Sequence, residues 1–238
     1  MKLCIDTAIF KRFPQYQRYV VVSSNINNIG DSSELAQKLR TIETTLRADP
    51  ELVDFKNNPR LASWRQLFTD LGVNPNQCMP SIVALVKRVL SGSNLPIINP
   101  LVAIMNIVSL SHLLPCGGDD LDKVQGDLIL GFAVGDETYI PLGKPEVREY
   151  PKPGEVIYYD SSSQDVLCRS WCWRNGDTTK ILPSTTRAAI NVDVIPPVSI
   201  DEGAAAAKEI ASLVETKCGG QAQIYCLKED NLSANITF

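Results

Sequence analysis

Few of the usual chemical groups are available to this chain. One histidine, His112, stands among 238 residues, so a histidine-rich metal site is impossible and a serine or cysteine triad would need His112 as its base. That histidine ends the run NPLVAIMNIVSLSH (99–112), which reads as an apolar helix, and a histidine at a helix C-terminus is favourable without catalysis. No glycine-rich phosphate loop of standard spacing occurs. Cys168 and Cys172 are four apart, not the three of zinc and redox pairs, and read as two buried structural thiols. Asp119, Asp120 and Asp122 could hold a divalent cation if other elements added ligands. A turn after Gly117-Gly118 leading into a strand is the simpler reading.

Three features survive this pruning. Asn106 sits in the middle of the apolar helix and shares a side with Val102 and Ser109. An unsatisfied buried amide costs on the order of 2 kcal/mol or more, so Asn106 needs partners and would make a polar window in an apolar wall. Gly117 and Gly118 would let a ligand approach backbone N–H groups, although turn-making explains a glycine pair equally. The third is CRSWCWR (168–174). On a strand, Arg169, Trp171 and Trp173 share one face and Ser170, Cys172 and Arg174 the other. Arginine beside tryptophan can stack on a base; two tryptophans filling a core with an arginine at its rim is the structural alternative. These residues describe a pocket wall without a complete catalytic machine.

The elements that must position them are helical first. Asp31 with Glu34 resembles a reciprocal cap ahead of Leu35, Leu39, Ile42 and Leu46. Asn58-Pro59 starts a helix burying Leu61, Trp64, Phe68 and Leu71, with Gly72 as its stop. Pro80 opens another that buries Ile82, Leu85, Val86 and Val89, and Asn99-Pro100 starts the helix carrying Asn106. After Gly117 the period shortens: GDLILGFAV, TYIPLG, GEVIYYD, DVLCRSWCWR and AAINVDV read as strands, as does VVVSS near residue 20. A helix stopped at Gly219 and a possible strand QIYC follow. The pattern is α+β: one domain over 1–238, with a helix-rich first half and a mostly antiparallel sheet in the second.

Composition sets the surroundings. Hydrophobic residues make up 44% and charged residues 21%, ordinary for a soluble globular chain, and no apolar run is long enough to span a membrane. The first residues lack a secretion signal, and seven scattered cysteines fit a reducing cytoplasm. The net charge of −4 argues against a general nucleic-acid coat, and no DNA or membrane partner is expected. Two basic stretches stand out, with Lys2, Lys11, Arg12 and Arg18 in one and Arg169, Arg174, Lys180 and Arg187 in the other. They could track a phosphate backbone if they met in space.

The order of SWRQLF, PSIVALVKRVLSGSNLPIINPLVAIMNIVSL, GGDDLDKVQGDL, PLG, PGEVIYYD and CRSWCWR with the following TTK resembles the stand-alone relatives of the phenylalanyl-tRNA synthetase beta-subunit editing domain, also described as a tRNA-binding domain. The resemblance runs from Phe13 to Val194 (13–194) and leaves 197–238 as a C-terminal helical extension. It implies a layered β/β/α domain whose pocket takes the aminoacyl end of tRNA, and no synthetase core. By that resemblance Asn106 matches a pocket asparagine, with Gly117 and Gly118 beside it as the catalytic set. Met105, Ser109, Asp120, Trp171 and Trp173 would meet substrate, and Arg169, Arg174 and Lys180 tRNA phosphates. Neither cofactor nor metal is implied. Met105 stands where the synthetase pattern has threonine, Gly117 where it has its pocket histidine, and Cys172 where stand-alone relatives have asparagine, so tyrosine specificity does not carry over. The implied function is hydrolysis of misacylated tRNA in trans. A binding module for tRNA or an amino acid is the alternative, and a small-molecule hydrolase a third reading.

Overall fold

The computed structural model describes residues 1–237. Six helices and two sheets form a mixed α+β fold. The strands are β1 (Lys2–Ile5), β2 (Gln17–Ser24), β3 (Cys116–Asp120), β4 (Leu128–Phe132), β5 (Val156–Asp160), β6 (Val166–Arg169), β7 (Arg174–Asn175), β8 (Ala188–Val194), β9 (Gln221–Leu227) and β10 (Ser233–Asn235). The helices are α1 (Thr7–Arg12), α2 (Ser33–Ala48), α3 (Pro59–Asp70), α4 (Ser81–Leu90), α5 (Pro100–His112) and α6 (Ile200–Cys218). One sheet runs β10-β1-β4-β5-β6-β7, the other β3-β8-β2-β9.

The four-stranded sheet is the middle layer. Tyr19 and Val194 on its outer face meet α6 where Gly203 has no side chain, and Gly118 on the same face lies against Met105 of α5. The alternate residues, Arg18 on β2, Asn191 and Asp193 on β8, and Gly117 and Asp119 on β3, therefore point at the six-stranded sheet.

Local signals explain most helices. Asn99 accepts from Val102 N at 3.0 Å, and Asn58 accepts from Arg60 N at 3.1 Å, each with a proline in the first turn. The cap of α2 differs from expectation. Asp31 accepts from the Ser33 N–H and hydroxyl, while Glu34 pairs with Lys217 and does not reach back. Leu85 of α4, expected in the core, is half-buried beside the inter-sheet space.

The strands depart further. The glycine pair lies inside β3, where a turn was expected, because β8 offers a full ladder from Cys116 to Asp120. TYIPLG makes only isolated bridges among the described residues, Thr138 with Asp165, Tyr139 with Glu149 and Pro141 with Gly176. Pro141 supplies no N–H to a ladder. The first twelve residues, assigned no element, form β1 and α1, and β1 runs parallel to β4. Residues 197–238 carry α6, and also β9 as an edge strand of the middle sheet and β10 beside β1.

Between the sheets lies an ion pair. Arg18 Nε donates to Asp193 Oδ1 at 2.8 Å and Nη2 to Oδ2 at 3.3 Å, while the Tyr16 hydroxyl donates to the same Oδ1 at 2.5 Å. Both charged residues are nearly inaccessible, at 2% and 4%. Burial alone would pull the Arg18 pKa down, and the Asp193 charge and hydrogen bond, together with Tyr16 and Tyr158, more than reverse that. Removing one partner strands the other charge. Arg18→Met should therefore lower the unfolding free energy by about 3–5 kcal/mol. Urea denaturation measures this, and a loss below about 1 kcal/mol would show the pair to be dispensable.

Candidate functional site: an inter-sheet cavity

A cavity of about 310 Å³ opens above that ion pair, between the two sheets at the free edge of β3. The middle sheet contributes Arg18, Gly117, Gly118, Asp119, Asn191 and Asp193; the outer sheet and its turn contribute Tyr158, Cys168, Trp171, Cys172, Trp173 and Asn175. Ala84 and Leu85 of α4 and Asn106 of α5 close the side. Of the residues expected at a site, Asn106, Gly117, Gly118, Trp171 and Trp173 line this one space, although they come from three separate parts of the chain.

Asn106 resolves its own puzzle. Its amide makes no hydrogen bond to any described residue, yet it is only half-buried, because it looks into the cavity. The Asn175 amide is likewise free of protein hydrogen bonds and stands 3.8 Å from where a Gly117 side chain would begin. Gly117 faces inward, so any side chain there would project into the cavity.

The two glycines are not equivalent. Asp193 N donates to Pro115 O and Leu121 N to Arg187 O, which makes the odd positions of β3 the ones bonded to β8. Gly118 N–H points off the free edge, as does Asp120 N–H, which reaches Thr179 O at 2.8 Å. Of the two glycines, Gly118 is the one whose backbone N–H has no partner among the described residues and is open to a ligand.

The tryptophans part company. Ser170 and Trp171 have φ of 44° and 66°, so the chain reverses tightly between β6 and β7, and strand alternation ends at Arg169. Trp171 is sealed in an aromatic cluster, edge-on to Tyr16 at 4.7 Å, Phe13 at 5.4 Å and Trp64 at 6.1 Å. Trp173 stays half-exposed on the rim, with the Arg169 and Arg174 guanidiniums each 5.8 Å from its ring centre.

The remaining expected residues lie elsewhere. Met105 packs behind Gly118 on the helical side. Ser109 donates to Leu114 O at 2.6 Å, tying down the end of α5. Asp120 is turned away by the strand's alternation and accepts from Thr185 Oγ1 at 2.8 Å and Asp122 N at 3.0 Å. Asp122 pairs with Arg187. Asp119, Asp120 and Asp122 therefore point apart and cannot share a cation. Arg169 is clamped by Glu149 and Glu155, and Lys180 pairs with Asp177; Arg174 alone of the three has no carboxylate partner among the described residues. His112 is remote, with its ring 2.8 Å from Glu209.

Missing from the expected set are the polar residues of the floor: Arg18, Tyr158, Asn191 and Asp193, with Asp119 considered only for metal or turn. Among the described residues, the buried side-chain nitrogens and oxygens without a partner are Arg18 Nη1, Tyr158 Oη, Trp171 Nε1 and Asn191 Oδ1, all on residues of this cavity. An interior rarely tolerates such atoms outside functional sites. The signal in sequence was the alternation of Asn191 and Asp193 inside the otherwise apolar AAINVDV, and Arg18 at the head of the apolar run of β2.

Burial shapes the ionisation. The Tyr158 hydroxyl and the Cys116 and Cys172 thiols are pushed well up by desolvation, and Cys168 up to about 12, so none is a nucleophile near neutral pH. Asp119 rises to about 7, mainly through burial, against the Thr179 hydroxyl that donates to its Oδ1 at 2.6 Å.

A B3/4 domain profile matches residues 63–218 of the chain. The chain belongs to the B3/4 domain family, and is thereby a relative of the phenylalanyl-tRNA synthetase beta-subunit domain its sequence resembles. Among solved structures, an N-terminal fragment of the phenylalanyl-tRNA synthetase beta subunit from Pyrococcus horikoshii aligns with a TM-score of 0.47 and 13% identity, over 92% of this chain and 49% of that one. The chain thus spans about half the length of that fragment. A comparison with curated proteins gives no match. Among the described residues, no helix is long and apolar enough to cross a membrane.

The raised Asp119 value has a consequence for stability. Between its unfolded value near 3.8 and about 7, the folded chain keeps a proton that the unfolded chain loses, so stability falls as pH rises through that window. Asp119→Asn should therefore raise the melting temperature at pH 8, by roughly 2 °C or more, and leave it nearly unchanged at pH 4. An equal shift at both pH values would contradict the assigned burial.

Proposed function

We propose that the chain binds the aminoacyl end of tRNA in the inter-sheet cavity and hydrolyses the ester of misacylated tRNA in trans. The observation that carries this reading is the convergence of Asn106, Gly118 and Trp173 on one cavity of amino-acid size. Asn106 and Asn175 hold amides free to meet the amino group, carbonyl or ribose hydroxyls of a substrate. The Gly118 N–H is a donor for the oxyanion that develops when water adds to an ester carbonyl. An aminoacyl ester is already reactive, so positioning by these groups accounts for much of the required acceleration. Trp173 offers a face for the terminal adenine, and Arg174 beside it a charge for phosphate.

Purified protein incubated with a panel of mischarged tRNAs tests this. Hydrolysis above the buffer rate for at least one pair is expected, and Asn106→Ala should slow it tenfold or more. Because the Asn106 amide has no partner among the described residues, the same change should move stability by less than about 0.5 kcal/mol. No hydrolysis of any aminoacyl-tRNA would remove the claim.

One observation favours the second reading, a non-catalytic binding module. Arg169 and Lys180 are already neutralised by neighbouring carboxylates, which weakens the phosphate surface. Titration at two salt concentrations separates the cases: tRNA binding should weaken steeply as salt rises, whereas salt-insensitive binding of a free amino acid would favour the module.

A further inference from the structure

Ester hydrolysis by positioning alone leaves open where the proton of the attacking water goes. The cavity contains two carboxylates. Asp193 is fully engaged: Oδ1 accepts from Tyr16 and Arg18 Nε, and Oδ2 from Arg18 Nη2. Asp119 is held at one oxygen only. Its Oδ1 accepts from Thr179, and its Oδ2 has no partner among the described residues and is not one of the sealed orphan atoms. It stands on the same inward face of β3 as Gly117, next to the uncommitted Gly118 N–H.

We propose that Asp119 is the general base of this hydrolysis, with Thr179 as its positioning residue. This rests on the deacylase reading of the same cavity. Asp119 Oδ2 takes a proton from water as the water oxygen bonds to the ester carbonyl carbon. The bond from that carbon to the ribose oxygen then breaks, and the proton passes to the departing ribose oxygen. The products are a free amino acid and tRNA with its hydroxyl restored, with no oxidant, reductant or metal required.

The surroundings suit the task. Facing Asp119 are Arg18 from β2, Asp193 from β8, Tyr158 from β5 and Cys168 from β6, with Asp120 next along its own strand. Tyr158 and Cys168 stay neutral near pH 7, and Arg18 stays charged. Asp119 is thus the cavity group able to gain and lose a proton at neutral pH, where a general base works best. Sequence reasoning passed it over because three aspartates within four residues resemble a turn or a metal cluster.

The test is the pH dependence of deacylation on whichever mischarged tRNA the wild-type protein cleaves. The wild-type rate should rise with pH to a plateau, with its midpoint near 7. Asp119→Asn should lower kcat by about 10²-fold or more, remove that midpoint and leave KM within a few-fold. Thr179→Val keeps the carboxylate and removes the hydroxyl that lowers its pKa, so its midpoint should move to higher pH. His112→Ala, remote from the cavity, should behave as wild type. An Asp119→Asn variant with wild-type kcat and pH profile would overturn the inference and leave the deacylase reading standing. An unmoved midpoint in Thr179→Val would overturn it also, even if Asp119→Asn failed to fold. Wild-type protein inactive on every tRNA would sink both.

Discussion

The buried pairing of Arg18 with Asp193 is the constraint around which the two sheets are arranged. A guanidinium and a carboxylate between sheets are each expensive to desolvate, and each is tolerable only because the other is held at hydrogen-bond distance. Their presence prevents the inner faces of β2 and β8 from closing as an all-apolar sandwich. Trp171, Tyr16 and Phe13 fill the space on one side of the pair with edge-on rings, and the cavity occupies the other. The polar floor and the hollow above it share one origin.

That arrangement also explains how a site can exist with so little conventional chemistry. The middle sheet places its edge strand, β3, at the mouth, and two glycines there leave room that side chains would otherwise take. On the helical side, Gly118 lets Met105 pack close; on the inner side, Gly117 leaves the cavity open to Asn175. Amides, one backbone donor and a carboxylate of raised pKa then stand where larger ionisable side chains would be expected. Low dielectric strengthens each of these interactions compared with water.

The helices were legible in the sequence because their signals are local: caps at Asn58 and Asn99, prolines in first turns, and apolar stripes at helical spacing. The α+β class and several strands were legible from periodicity. What escaped was long-range pairing. Nothing near Lys2–Ile5 announces a strand running parallel to β4, and nothing in GGDD states that β8 will pair with it rather than leave it a turn. Asn106, Gly117 and the tryptophans could be singled out because each is odd in its own neighbourhood. Arg18, Asn191 and Asp193 became recognisable only once β2 and β8 lay side by side, since the meaning of a polar residue on a buried strand depends on what stands opposite. The alternation assumed for CRSWCWR failed for a backbone reason, two successive left-handed residues at 170 and 171.

The central claim is that the space between the sheets receives an aminoacyl group. A crystal structure with a 3′-aminoacylamino adenosine analogue, whose amide link resists hydrolysis, tests it most directly. The expected result places the aminoacyl moiety above the Arg18–Asp193 pair, its carbonyl near Gly118 N–H and the adenine against Trp173. An analogue bound in another groove, with the inter-sheet cavity unchanged, would contradict the account.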